Sequence, residues 1–420
     1  MSGKPMTPPP PVVRRSDAAL ELIRATRTYE LITPLFGGGA EPQRADAVTV
    51  VRGSEVRAQL RFWWRATRGG AFAGDLKAMK RREDEIWGAP ASPDANDGRD
   101  QVKPPPTVQL ALTVTDRGHP MKVLARSGKN KGMEVNVGTP TSPYGYVAFP
   151  LQTDRNSFVL EGVKFTLHLT YATAHAQDVA AALWAWETFG GVGARTRRGF
   201  GAVTCTNVAG ARPKSPEAVE EWIISQADAF DARGAWPPYV PHPIYKLIRK
   251  APEPFATPMA AWEHLIGKLR DFRQYRIDKE TGKRSPFGRS VWPEPRAIRA
   301  IVSGKDAPAG GKFPRAAFGL PLIFQFKKDE PIKQVTLKPD KYDRLASPLI
   351  LKPLQCANGK SVALAVLLKT PALPPKSQLE LDGRPVTADL TPAEAAAIPP
   401  LNNKQDVLGA FLAWLVRKDR

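Results

Sequence analysis

The stretch Phe189-Gly-Gly-Val-Gly-Ala-Arg-Thr-Arg-Arg-Gly-Phe-Gly201 sets five glycines, Gly190, Gly191, Gly193, Gly199 and Gly201, around Arg195, Thr196, Arg197 and Arg198, with Phe200 near its end. It follows Asp178–Phe189, whose apolar spacing is that of an amphipathic helix, and leads into a short strand pattern, Gly201–Asn207. Glycine lets a backbone turn tightly, approach a ligand closely and expose N–H donors, while arginine supplies charge. The loop is therefore suited to cradling a phosphodiester backbone; the plainer alternative is a glycine-rich turn with incidental arginines. Two other phosphate loops do not fit. A dinucleotide fingerprint would need glycine at Thr196 and would open a helix rather than close one, and a P-loop ending in Gly359-Lys360-Ser361 would need its first glycine at Leu354.

Outward from this loop, Thr26–Thr33 alternates like a strand and is broken by Pro34 and Gly37–Gly39; a loop follows to Thr49. Ser54–Arg68 has helical spacing with Ser54 placed as N-cap, and Val108–Thr115 and Val163–Tyr171 alternate as strands. The order strand, helix, strands, helix, strand is the ferredoxin-like split βαβ arrangement, an α+β architecture. In the second half, Met259–Tyr275 and Gln405–Arg417 have helical spacing, and Phe318–Phe326 and Val362–Lys369 read as buried strands. This gives a second, degenerate ferredoxin-like domain with a basic, aperiodic insertion over residues 277–315. Proline clusters at Pro8–Pro11, Pro104–Pro106, Pro237–Pro243, Pro371–Pro375 and Pro399–Pro400 read as stiff connectors. The Pro237–Pro243 cluster is the expected boundary, dividing the chain into a flexible segment 1–25, a first domain 26–236 and a second domain 244–420.

The 420 residues carry 61 Lys+Arg against 41 Asp+Glu, a net charge of +20, with +8 in residues 1–210 and +12 in residues 211–420. The charge is thus not confined to a tail. It favours nucleic acid or an anionic membrane surface. A disordered polycation is excluded by 42% hydrophobic residues and ten Trp. Two cysteines, Cys205 and Cys356, exclude a disulfide scaffold and a thiolate zinc site built from this chain, and fit a reducing compartment. With no signal-like apolar run and no stretch of ~18 apolar residues, the expectation is a soluble cytoplasmic protein without a membrane partner. The five histidines lack metal-like spacing, so neither metal nor cofactor is expected.

A second motif lies in Arg52-Gly-Ser-Glu-Val-Arg-Ala-Gln-Leu-Arg-Phe-Trp-Trp-Arg-Ala-Thr-Arg68. Arg57, Arg61 and Arg65 recur every four residues and Arg68 follows three later, so four guanidiniums share a face; Val56, Leu60, Trp63 and Thr67 form the packing stripe beside them. Glu55 is the only acid in this helix. Such a row is either a solvated face whose stems lie on apolar surface or, at ~6 Å spacing, a track for successive phosphates. Glu83-Asp84-Glu85 reads as an exposed run that caps or solvates a helix. Asp46, in the loop after the first strand, is the one acid placed for catalysis, with an ordinary loop aspartate as the alternative. His175 is the candidate general base if the chain were instead a metal-independent RNA endonuclease that processes guide precursors.

These residues carry a resemblance. Leu31-Ile32-Thr33-Pro34-Leu35-Phe36-Gly37-Gly38-Gly39, Arg52-Gly53-Ser54 leading into Leu60-Arg61-Phe62-Trp63-Trp64-Arg65-Ala66, and the Gly190–Gly201 loop together resemble the RAMP superfamily of CRISPR proteins. The pattern is most similar to the crRNA-capping subunits of Cmr-type (type III-B) effector complexes. Motif coverage runs over about residues 28–205; beyond it stand Trp292-Pro293-Glu294, Ala317-Phe318-Gly319-Leu320-Pro321 and Arg344-Leu345-Ala346-Ser347-Pro348-Leu349. The resemblance implies two ferredoxin-like, RRM-related domains and a non-catalytic subunit binding the 3′ region of the guide crRNA. It also implies contact with target RNA, with RAMP backbone subunits and with a small helical subunit. RNP-type stacking aromatics are not evident, so backbone contact is expected rather than base readout. The candidate RNA surface is Arg52, Ser54, Arg57, Arg61 and Arg65 with Gly190, Gly191, Gly193, Arg195, Thr196, Arg197, Arg198, Gly199, Phe200 and Gly201.

Overall fold

Period-two alternation builds the first sheet. Strands β1 (Leu22–Leu31), β2 (Gln109–Pro120), β3 (Leu160–Ala172) and β4 (Val203–Cys205) run antiparallel in the order β2-β3-β1-β4. On β3, Val163, Phe165, Leu167, Leu169 and Tyr171 are buried in alternation, and Tyr29 of β1 lies opposite Phe165 with stacked rings 5.2 Å apart. Helices α1 (Gly53–Arg68) and α4 (Ala176–Phe189) pack on this face through Val56, Leu60, Trp63, Val179 and Trp186, and Trp64 Nε1 donates to Asp178 Oδ1 at 3.0 Å. The crossovers β1–α1–β2 and β3–α4–β4 interleave, the order expected from the sequence for the first half. The computed structural model describes residues 21–41, 43–89, 107–152, 158–231, 233–304, 311–326, 332 and 334–418. Almost all of the expected segment 1–25, and the Pro8–Pro11 and Pro104–Pro106 clusters, lie outside the described residues.

Two helices that the sequence reading left unassigned flank this unit: α2 (Leu76–Trp87) against α1, and α5 (Val219–Phe230) against α4. A single turn, α3 (Gly145–Ala148), contributes Val147 and Ala148 to a smaller core with Phe36, Phe200 and Trp262.

In the second half, β11 (Leu349–Gln355) and β12 (Ser361–Lys369) form a hairpin in register from Leu349↔Leu367 to Gln355↔Ser361, with β5 (His242–Pro243) and β6 (Arg249–Lys250) along β12. Both hairpin faces are buried, which is why Val362–Lys369 reads as a continuous apolar run. Ile350, Leu354, Val362, Leu364, Val366 and Leu368 join the core of the first sheet. The intervening Leu349, Leu351, Ala363, Ala365 and Leu367 pack instead with α6 (Pro258–Arg273) and α9 (Val407–Leu415). One hairpin thereby serves two cores.

The remaining strands, β9 (Leu322–Gln325), β10 (Gln334–Pro339), β13 (Leu379–Leu381) and β14 (Arg384–Val386), form an antiparallel sheet in the order β14-β13-β10-β9. Helix α8 (Pro392–Ala396) follows with a Thr391–Glu394 capping box. The second half therefore divides its strands among separate sheets, with a connectivity different from that of the first. The expected aperiodic insertion 277–315 contains structure: α7 (Glu294–Val302), and the strand pair β7 (Arg276–Ile277) and β8 (Arg289–Ser290). Helix α7 is amphipathic, burying Glu294, Ala297 and Ile298, but its 9 residues are shorter than the window over which helical spacing is read from sequence.

Lys352 on β11 points into the seam between the halves. The residue is 1% exposed; its Nζ donates to Gly190 O at 2.7 Å and Val203 O at 3.4 Å, and burial, opposed by Glu187, lowers its pKa to about 7. Unfolding restores the ordinary value, so between about pH 7 and ~10 the unfolded chain binds one proton more and this group makes stability rise with pH, by about 1 kcal/mol per unit. Below pH 7 both states are protonated and the slope vanishes. Urea unfolding of the wild type and Lys352→Met across pH 7–9 should show this rise in the wild type and a flatter profile in the variant.

Candidate functional site

The glycine loop is held by the motif after β1. Thr33 Oγ1 donates to Gly199 O at 2.6 Å and accepts from Ala202 N at 2.8 Å, Gly201 N donates to Pro34 O at 2.8 Å, and Ala194 N donates to Phe36 O at 2.6 Å. Gly201 has φ 57°, and a Cβ there would sit 1.9 Å from Val192 O, so no other residue fits. The start of α1 joins in: Glu55, pushed above the usual carboxylate range by burial, accepts from the Gly193 N–H. The Thr-Pro-Leu-Phe, Arg-Gly-Ser and glycine-loop segments thus meet at one place.

The three loop arginines donate to carbonyls. Arg195, itself at φ 60°, reaches Val147 O at 2.9 Å with its guanidinium 4.8 Å above the Phe149 ring and 5.7 Å from Phe36. Arg197 bonds Ser347 O and lies 5.7 Å from the Phe62 ring. Arg198 bonds Leu349 O at 3.1 Å and Phe318 O at 2.9 Å, and its own carbonyl accepts from Trp262 Nε1 at 2.8 Å. Among the described residues no ion pair with a carboxylate involves these three. Burial, with Arg344 nearby, lowers Arg195 to about 10; burial, with Arg273 nearby, lowers Arg198 to about 9; burial also lowers Arg197. Positive charge is therefore concentrated and uncompensated. A groove of about 210 Å³ opens beside it, lined by Ala58, Gln59, Phe62, Thr196, Arg197 and Ile350.

The helix arginines face elsewhere. Arg57 donates to Trp87 O at 3.0 Å and Val108 O at 3.1 Å. Arg61 bonds Glu83 at 2.8 Å, Gly88 O at 2.7 Å and Asp84 at 3.5 Å; Arg65 also bonds Glu83, and Arg68 meets Asp178 at 3.3 Å. The expectation that Glu83-Asp84-Glu85 is an exposed run is corrected for Glu83. It is 2% exposed because helical spacing puts it on the inner face of α2 with Met79 and Ile86, where two guanidiniums share it. Nor is Ser54 the N-cap. The cap is Arg52, with extended backbone and no side-chain cap bond, and Ser54 is exposed at the second helical position. Arg52 Nε is buried without a hydrogen-bond partner among the described residues.

Helix α1 reaches the groove through Ala58, Gln59 and Phe62, which the sequence reading missed; the signal available was the i, i+4 pair Ala58 and Phe62 beside the packing stripe. Asp46 Oδ1 accepts from Val48 N, Thr49 N and Thr49 Oγ1 at 2.7–3.0 Å, which holds its carboxylate below the usual range. His175 is buried 3.1 Å from Arg82, its pKa lowered by burial, and lines neither this groove nor the one beside Asp46.

Residues 28–204 match the model of the RAMP superfamily. The similarity within it is to Cmr-type subunits. The chain is 26% identical over 157 residues to CRISPR system Cmr subunit Cmr1-1 of Pyrococcus furiosus, covering 36% of this chain and 40% of that protein. It is 25% identical over 188 residues to Cmr subunit Cmr1-2 of the same organism, covering 41% of this chain and 90% of that protein. The matched stretch thus spans less than half of the first of these relatives. Among solved structures, apo Cmr1 from Pyrococcus furiosus superposes with a TM-score of 0.48 at 16% identity, covering 84% of this chain and 90% of that one. A chain of the type III-B Cmr-beta complex bound to cognate target RNA and AMPPnP gives 0.45 at 12% identity, covering 94% and 99%. Both scores are below 0.5, so the fold described above stands on its own geometry.

Removing the charge of Glu83 leaves Arg61 and Arg65 without their shared partner. Glu83→Gln should destabilise the protein by about 3 kcal/mol, and Asp84→Asn, at the exposed edge of the pair, by less than about 1 kcal/mol. Urea midpoints check both, and equal midpoints for the two variants would refute a stabilising seam between α1 and α2.

Proposed function

We propose that this chain is a non-catalytic RNA-binding subunit of a type III-B (Cmr) CRISPR effector complex. In this reading it binds the 3′ region of the guide crRNA and caps the backbone filament so that complementary target RNA can be engaged. The observation that carries the proposal is Arg197, on the wall of an open groove with Thr196, backed by Arg195 and Arg198; all three guanidiniums bind backbone carbonyls and none pairs with a carboxylate among the described residues. A phosphodiester supplies the missing counter-charge, and Arg is suited to bind it. Arg52 and the exposed Ser54, at the start of α1, belong to the same proposed RNA surface. Arg57, Arg61 and Arg65 enter this reading as the brace that holds α1 against α2 and so fixes Ala58, Gln59 and Phe62 along the groove.

Contact through backbone phosphates leaves sequence recognition to base pairing between guide and target. The partners are accordingly guide crRNA, target RNA, RAMP backbone subunits and a small helical subunit, in the cytoplasm. Among the described residues no helix is long and apolar enough to cross a membrane. The two-domain, ferredoxin-like description belongs to the same reading, with the first sheet supporting it and the second half taken as a remodelled copy.

Fluorescence anisotropy with single-stranded RNA across a salt series tests the proposal. With ~4–6 phosphates neutralised, log Kd against log salt should have a slope magnitude of about 3–4, and Arg197→Ala should weaken binding and reduce that magnitude by about 0.7. Salt-independent binding would overturn the reading, and crosslinks from this subunit to the 5′ end of the guide in the native complex would overturn the capping assignment.

A further inference from the structure

The basic segment after α6 has no part in the surface described so far. Residues Arg276–Ser290 form a hairpin closed by β7 and β8, with Arg276↔Ser290 and Ile277↔Arg289 paired. Its interior is ordered: Asp278 N donates to Lys283 O at 2.7 Å, Ser285 N to Arg276 O at 3.1 Å, and the Arg276 guanidinium to Gly288 O at 3.1 Å. A Cβ on Gly288 would lie 2.1 Å from Ile277 O, which pins the turn next to Phe287. The hairpin is tied to the body by Arg284, which meets Asp271 at 2.8 Å and lies over the rings of Tyr275 and Trp414 at 5.5 and 5.9 Å. On this anchored turn Phe287 is 96% exposed.

A lone exposed apolar residue is ordinary. Here the surroundings matter. Lys279, Lys283 and Arg289 are exposed on the same hairpin, and no side-chain hydrogen bond or ion pair engages them among the described residues. The hairpin's acids are outnumbered: Asp278, which caps Glu280 N, Thr281 N and Thr281 Oγ1 at 2.8–3.1 Å, and Glu280 stand against Arg276, Lys279, Lys283, Arg284 and Arg289, while Asp271 beside them is held by Arg284. An outward aromatic among free cations is the combination that binds single strands, the ring stacking on a base and the cations meeting phosphates.

We infer that the hairpin Arg276–Ser290 is a second single-stranded RNA contact, with Phe287 stacked on a base and Lys279, Lys283 and Arg289 on neighbouring phosphates. It rests on the RNA-binding reading above for the identity of the polymer.

The test is anisotropy of the full chain with a fluorescein-labelled oligouridine. Phe287→Ala should weaken binding roughly ten- to hundredfold with the salt slope unchanged, and Phe287→Trp should retain wild-type affinity. Replacing Lys279, Lys283 and Arg289 together by Ala should reduce the slope magnitude by about 2. Full exposure of Phe287 means that these variants fold, which unfolding midpoints equal to wild type confirm. If Arg197→Ala weakens binding while Phe287→Ala and the triple variant do not, the hairpin contact is overturned and the groove reading survives. Should Phe287→Ala spare RNA affinity but release the chain from its complex, the hairpin docks a protein and the inference likewise falls. A wild type that fails to bind RNA overturns both.

Discussion

The conformation of the glycine loop depends on Arg198. A guanidinium withdrawn from water without an acid partner must be satisfied by dipoles, and here the dipoles are the carbonyls of Phe318 and Leu349. Charge-assisted hydrogen bonds of this kind contribute about 1.5–3 kcal/mol each, so the loop adopts its observed path only when both carbonyls are in place. They belong to segments far apart in sequence, joined by the Leu320–Leu345 bridge at 2.9 and 3.0 Å. Ala317–Pro321 and Arg344–Leu349, which in sequence look like isolated fragments of a family pattern, are thus the second wall of the loop. Arg197 and Ser347 repeat the logic one residue earlier.

The hairpin β11–β12 explains why that wall stays in place. Alternate side chains enter two cores, so sliding the hairpin by one residue would exchange Lys352 and its apolar neighbours between them and strand the ammonium away from the Gly190 carbonyl. Register and loop position are consequently set together. Electrostatics near the loop then follow: the arginines neighbour one another and Arg344 and Arg273, while Glu83 and Asp178 are spent on the far side of α1 and Glu55 is taken by the Gly193 N–H.

Long, strictly alternating segments such as Val163–Tyr171 were legible because a repeated pattern averages over local exceptions, whereas Asp178–Phe189 was legible through its length and apolar content, the helix being buried on nearly every side rather than along one stripe. The loop was legible through composition. What escaped had a physical cause in each case. Glu83 sits in a charged run whose burial depends on arginines some twenty positions away, so its own surroundings suggest solvent. A helix face is legible as a stripe, but not which neighbour it meets. The arginines of α1 therefore read as an open track, whereas they turn to α2 and the groove receives Ala58, Gln59 and Phe62. The carbonyls that hold the loop are backbone atoms and leave no mark in residue types.

A dissection of this protein by truncation would mislead. A fragment ending at the Pro237–Pro243 cluster would keep every residue of the glycine loop and the whole family-matched region, residues 28–204. It would lose Ile350 from the groove floor, the Ser347, Leu349 and Phe318 acceptors, and the six apolar side chains with which β11–β12 completes the first core. The arginines would then be released into solvent, and the fragment's affinity for a polyanion would report loose charge rather than a shaped surface.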